Sequence, residues 1–195
     1  LLKRMGADGY GLYQMVYSIA NYILILDLGI STVMVRYISE YSALNDRQGE
    51  ENFAAHMGIL TLIITIVVII LGSIMVSSVE NIYTNLTEKE YSLSRQMIVM
   101  MTAQFGITII DHYFQGIILA YERFVFIRVF NIIKIALSFT LTIIFVSIGM
   151  GAIGVVFANL IIMIAILLVD ISYVHSIIKF KICFHKWEYT IIRPA

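Results

Sequence analysis

The chain is short of charge and nearly without cysteine, proline and tryptophan: one residue each of the last three, and 13% charged residues in a length of 195. Soluble globular domains carry about twice that share of charge. The lone Cys183 rules out an internal disulfide, and no Cys/His cluster has metal-ligand spacing, so no metal site is expected. Pro194, the one proline, lies outside every predicted helix. No nucleophile stands at a workable spacing from a base, and no basic patch suits nucleic acid. The GMGAIG stretch around Gly149 sits between two apolar segments rather than after a strand, so a phosphate-cradling loop has no context there. Neither an enzyme, a cofactor nor a nucleic-acid partner is expected.

What fills the space is apolar. Sixty per cent of the residues are hydrophobic and the mean hydropathy is +0.90. This composition predicts an integral membrane protein of the all-α class, a polytopic transmembrane helical bundle. At about 20 residues per span the length allows five or six spans in one bundle, 1–195, with no separate soluble domain. Leu1 and Leu2 read as the end of an earlier apolar segment, and no signal peptide is expected.

Five spans can be marked, at about 10–35, 57–79, 97–121, 129–150 and 151–178. The first is expected to continue as one long helix to about Leu44, ended by Asn45 and Asp46, with Glu50 and Glu51 at the start of the next helix, where carboxylates favour the positive dipole end. Thr87 and Glu90 have capping-box spacing and predict a helix start well before the third apolar run. Gly149 and Gly151 leave room only for a tight turn.

Alternating sides sort the basic residues. Arg36, Arg47, Arg123, Arg128, Lys179, Lys181, Lys186 and Arg193, with Lys134 close by, fall on one side, and Lys3, Arg4, Lys89 and Arg95 on the other. The excess places the Asp46, Arg123 and Lys181 connections in the cytoplasm. Tyr10, Tyr13, Tyr37, Tyr41, Tyr83, Tyr91 and Tyr121 fall near the expected interfaces, as an aromatic belt does.

Spans that face only lipid have no reason to keep polar residues, so polar positions sharing a helical face point inward. In the third span Gln104, Thr108, Asp111 and Gln115 occupy a strip roughly 60° wide at 100° per residue. Gln14, Ser18 and Asn21 do the same in the first, and an unbroken helix adds Arg36 to that face while Asp27 projects from the opposite side. Asn131, Lys134, Ser138 and Thr142 line one face of the fourth. Gly58, Thr61, Thr65 and Gly72 give the second a small-residue face suited to close packing. Asn159 and Asp170 make a weaker stripe in the fifth.

Interhelical hydrogen bonding alone explains the Ser, Thr and Asn positions. A charge near the bilayer centre is different, because it costs about 2.5–3.5 kcal/mol even on lenient insertion scales. Asp111 lies about 15 Å along the helix from Tyr121, too deep to snorkel. It is the candidate for a hydrated cavity and ion exchange, against a structural partnership with His112 or Lys134. Arg36 and Lys134 each complete a polar stripe and are the candidates for meeting an anionic head group, whereas Arg128 marks topology. Asp27 and Asp170 are expected to end spans or cap neighbouring helices, and His56, His175 and His185 to lie at interfaces.

MGADGYGLY from Met5, followed by LDLGISTVMVRYISEY from Leu26 and the polar loop Asn45, Asp46 and Arg47, resembles the bacterial lipid-linked oligosaccharide flippases of the polysaccharide transporter family. QGIILAYERF from Gln115 and IGMGAIGVVFANL from Ile148 are similar to later family segments. That family belongs, with the multidrug and toxic compound extrusion (MATE) proteins, to the multidrug/oligosaccharidyl-lipid/polysaccharide exporter superfamily. The resemblance implies five spans equivalent to helices 2–6 of the first six-helix bundle, with the first helix and the second bundle missing. It implies alternating-access flipping of undecaprenyl-diphosphate-linked oligosaccharide for surface polysaccharide or lipopolysaccharide assembly, in a bacterial cytoplasmic membrane. The implied partners are the lipid-linked oligosaccharide, the bilayer, the remaining bundle and a proton or sodium ion. Arg36 and Lys134, with Asn21, Gln104 and Gln115, are then the substrate-binding candidates, and Asp111 the coupling residue. A cation-coupled multidrug exporter of the same superfamily, a polytopic polysaccharide polymerase and a membrane scaffold are the alternatives.

Overall fold

The computed structural model describes residues 7–21, 29–82 and 86–183. Within them the chain forms α1 (Ala7–Asn21), α2 (Ile30–Ala43), α3 (Arg47–Ser77), a single turn α4 (Val79–Ile82), α5 (Glu88–Ala120), α6 (Phe124–Ser147) and α7 (Gly151–Tyr173). A π-helical turn, Val174–Ile178, prolongs α7. The described residues contain no strand. Among the described residues four helices, α3, α5, α6 and α7 with its π turn, are long and apolar enough to cross a membrane, as a multi-pass membrane protein requires.

The polar signals at helix ends act as expected. Asp46 caps α3 by accepting from the Gly49 amide at 2.9 Å, and Glu50 occupies the first turn. Thr87 and Glu90 close a full capping box on α5, with the Thr87 amide donating to Glu90 Oε2 at 2.7 Å. These caps start α3 and α5 about ten residues ahead of their apolar runs, so the helices have 31 and 33 residues. At 1.5 Å per residue they are about 46–50 Å long and project beyond a hydrocarbon core of about 30 Å. The α6–α7 connection turns at Gly149 and Gly151, both at positive φ.

The first span departs from expectation. Gly29 sits at φ 69°, ψ 33°, as the N-cap of α2, so no single helix runs from Tyr10 to Leu44. Left-handed backbone costs an L-residue about 1–2 kcal/mol and glycine nearly nothing, which is why the chain re-initiates there. The break removes the rotational link between α1 and α2 on which the shared face of Asn21 and Arg36 depended. Asp27, Tyr83 and His185 lie outside the described residues.

Helix α5 is the hub. It packs on α2, α3 and α7 along their lengths and also touches α1, whereas α6 is held mainly by α7. The small-residue face of α3 meets α5: Thr61, Thr65 and Gly72 are buried, and a Cβ on Gly72 would stand 2.1 Å from Thr102 Oγ1. The outward faces of α3 and α6 carry Leu62, Ile66, Ile132, Ile135 and Phe139, all exposed, as a lipid-facing surface requires.

The three connections with most basic residues meet at one end of the bundle. Tyr121 Oη donates to Glu50 Oε2 at 2.6 Å, Arg47 Nη2 donates to the Lys179 carbonyl at 3.3 Å, and the Tyr121 ring packs edge-on against Phe180. At the far end Arg95 pairs with Glu80 at 2.5 Å, tying α4 to α5.

Candidate functional site

The polar stripes of α5 and α6 converge on a cavity of about 210 Å³ lined by Gln104 and Thr108 of α5, Lys134 and Ser138 of α6, Asn159 of α7 and Tyr17 of α1. Phe105, Ile162 and Met163 close its apolar side. Convergence follows from helix geometry: Gln104 and Thr108 are four residues apart, as are Lys134 and Ser138, so each pair stacks on one face of its helix. Ser138 donates to the Asn159 side-chain oxygen and locks α6 to α7 across the cavity floor. Thr108 returns its hydroxyl to the Gln104 carbonyl at 2.9 Å, which leaves the Gln104 amide as the polar group of α5 at this wall. Lys134 is half-buried and brings the positive charge.

One turn further along α5 the stripe enters a second environment. Asp111 is 1% exposed, and Gln115 Nε2 donates to its Oδ2 at 2.7 Å. Asp170 of α7, also 1% exposed, lies against Asp111, with the amide of Gln115 acting on both. Lys134 acts electrostatically on both carboxyls, and His112 on Asp111. Three oxygens, Asp111 Oδ1 and both of Asp170, accept no hydrogen bond. Among the described residues no group of three or more His, Cys, Asp or Glu side chains is arranged to hold a metal ion.

The candidates therefore divide. Lys134 and Gln104 share the cavity, while Asp111 and Gln115 form the buried cluster next to it. Arg36 is exposed on α2, its guanidinium 5.4 Å from the centroid of the Tyr37 ring, and is not among the residues lining the cavity. Asn21 is the last residue of α1, and its side chain lies outside the described set. Asp170 corrects the sequence expectation: it neither ends the span nor caps a helix, because α7 runs on through Tyr173 and the π turn to Ile178. The signal was the face Asn159, Met163, Ile166 and Asp170, whose two apolar members are buried like the aspartate. Tyr17 of α1, one residue before the Ser18 of the expected stripe, was not singled out by spacing.

Several solved structures share this fold. A MATE transporter in complex with Br-NRF superposes with a TM-score of 0.77 over 96% of this chain and 43% of that one, at 18% identity. An inward-facing multidrug resistance MATE family transporter of the MOP superfamily gives 0.65 over 98% and 42%, also at 18% identity. The chain thus spans less than half the length of the transporters it matches, and its bundle has the fold of their N-lobe. No curated protein matches it in sequence. The profile described as polysaccharide biosynthesis protein matches residues 2–191, nearly the whole chain, and the chain belongs to that polysaccharide biosynthesis protein family.

Proposed function

We propose that this chain forms one of two helical bundles of a transporter that flips undecaprenyl-diphosphate-linked oligosaccharide across the bacterial cytoplasmic membrane by alternating access. The observation that carries the reading is Lys134, a cation held half-buried in a polar cavity inside a chain whose family profile is described by polysaccharide biosynthesis. A lysine at that position costs insertion energy; the neighbouring Asp111 and Asp170 carboxyls offset part of it, and an anionic head group entering the cavity would meet the same charge from the other side. Gln104 would hydrogen-bond the same group from α5, and Arg36 would offer a second positive charge at the basic end, away from the cavity lining. Asp111 is the coupling group. Transport of this kind makes and breaks no covalent bond, and a site between packed helices is where transporters built from repeated bundles place their substrate.

The second reading, a cation-coupled multidrug exporter, is favoured by the MATE likeness, which speaks for the fold. The two readings separate in cells that lack the native protein and carry the full-length one. Lys134→Ala is expected to abolish surface glycan at normal protein level, and Arg36→Ala to reduce it less. Normal glycan with Lys134→Ala would overturn the site assignment. Drug resistance conferred by the wild type, with glycan unchanged by its deletion, would favour the exporter.

A further inference from the structure

The proposed coupling role of Asp111 gains a definite chemistry from its neighbour. Two carboxyl groups from α5 and α7, each 1% exposed, face one another inside a membrane bundle. If both were ionised, both would be acceptors only, no hydrogen bond could join them, and three oxygens would stay buried without a donor. A single buried acceptor left without a partner costs about 1–3 kcal/mol, and more when charged. The repulsion between two like charges that act on each other adds to that.

The local charge count gives the remedy. The charged and titratable groups acting on the pair are Lys134 from α6 and His112 from α5 itself, in addition to the two carboxyls. The Lys134 ammonium sets one positive charge against two carboxylates, which leaves one negative charge uncompensated. One added proton brings the cluster to neutrality and turns one carboxyl into a donor for the other. We infer that Asp111 and Asp170 share a single proton and together form the proton-binding site of this bundle. Gln115, whose amide donates to Asp111 and acts on Asp170, positions the pair.

Lys134 connects this site to the cavity, since the same ammonium group lines the cavity and acts on both aspartates. An anion drawn to Lys134 withdraws positive charge from the carboxyl pair and favours its protonated form. Ligand binding and proton occupancy are therefore linked through one side chain, and the linkage is reciprocal.

Infrared difference spectroscopy of the full-length protein in lipid vesicles, titrated in sodium-free buffer without substrate, tests the pair. The expected result is one protonated-carboxyl carbonyl band at neutral pH, lost at alkaline pH with the release of one proton per chain. Asp111→Asn or Asp170→Asn is expected to remove the band, because a single carboxylate beside Lys134 is already neutralised. Absence of the band in the wild type at neutral pH, as when His112 takes the proton instead, would overturn the proposal. So would a band that survives both substitutions. The wild-type titration decides the matter even if a variant fails to fold. Since no substrate is present, a negative result leaves the assignment of Lys134 to substrate standing, and loss of glycan transport in Lys134→Ala leaves the proton count unaffected.

Discussion

Helices α5 and α6 both cross the membrane, yet they solve opposite problems. In α5, 44% of the most apolar stretch is buried inside the bundle, against 11% in α6. The more buried helix is also the one with more polar residues: α5 keeps Gln104, Thr108, Asp111, His112 and Gln115 within twelve positions, while α6 turns Ile132, Ile135, Leu137 and Phe139 outward. In water the ranking would be reversed. In a bilayer the outside is as apolar as any core, so the face that keeps polar groups is the one that faces protein, a cavity or both.

The contrast can be broken with the same substitution on each helix. Ile109→Ala on α5 removes a side chain with no exposure, and a loss of about 2–5 kcal/mol is expected, read as a lowered unfolding midpoint of the purified full-length protein. A loss below that of a surface change would mean that α5 is not the hub. Tyr113→Phe tests the polar side of α5 at smaller scale: its hydroxyl donates to the Ala54 carbonyl of α3 at 2.9 Å. Interhelical bonds of this kind contribute about 0.6 kcal/mol in membranes, so a small but resolvable fall in the same midpoint is expected. Ile135→Ala on α6, at a residue 70% exposed, is expected to change stability by less than about 0.5 kcal/mol. A large effect there would reveal that the outward face of α6 is covered by protein in the full-length molecule rather than by lipid.

Much of this arrangement was legible beforehand. The capping box at Thr87, the helix boundary at Asn45 and Asp46, the glycine turn before α7 and the packing face of α3 are local in chemistry, set by residues within a few positions of one another, and the structure contains each of them. Two things were not legible. Gly29 lies in an apolar run that reads as continuous helix, and nothing in spacing distinguishes a glycine that stays helical from one that turns left-handed. Asp170 reads as a span boundary because a charge follows an apolar run, but its meaning depends on which helix faces it.

The chain alone therefore determined that the protein is a helical membrane bundle, where its long helices begin and end, and which face of each carries polar groups. Those properties follow from backbone hydrogen bonding, capping and periodicity, all short-range. Which stripes meet was decided only by tertiary packing. The rotation of each helix about its axis came from the fit against its neighbours, and the left-handed turn at Gly29 freed α2 from α1. That fit joined Lys134 to Gln104 and Asn159 around a cavity, set Asp111 against Asp170, and left Arg36 outside.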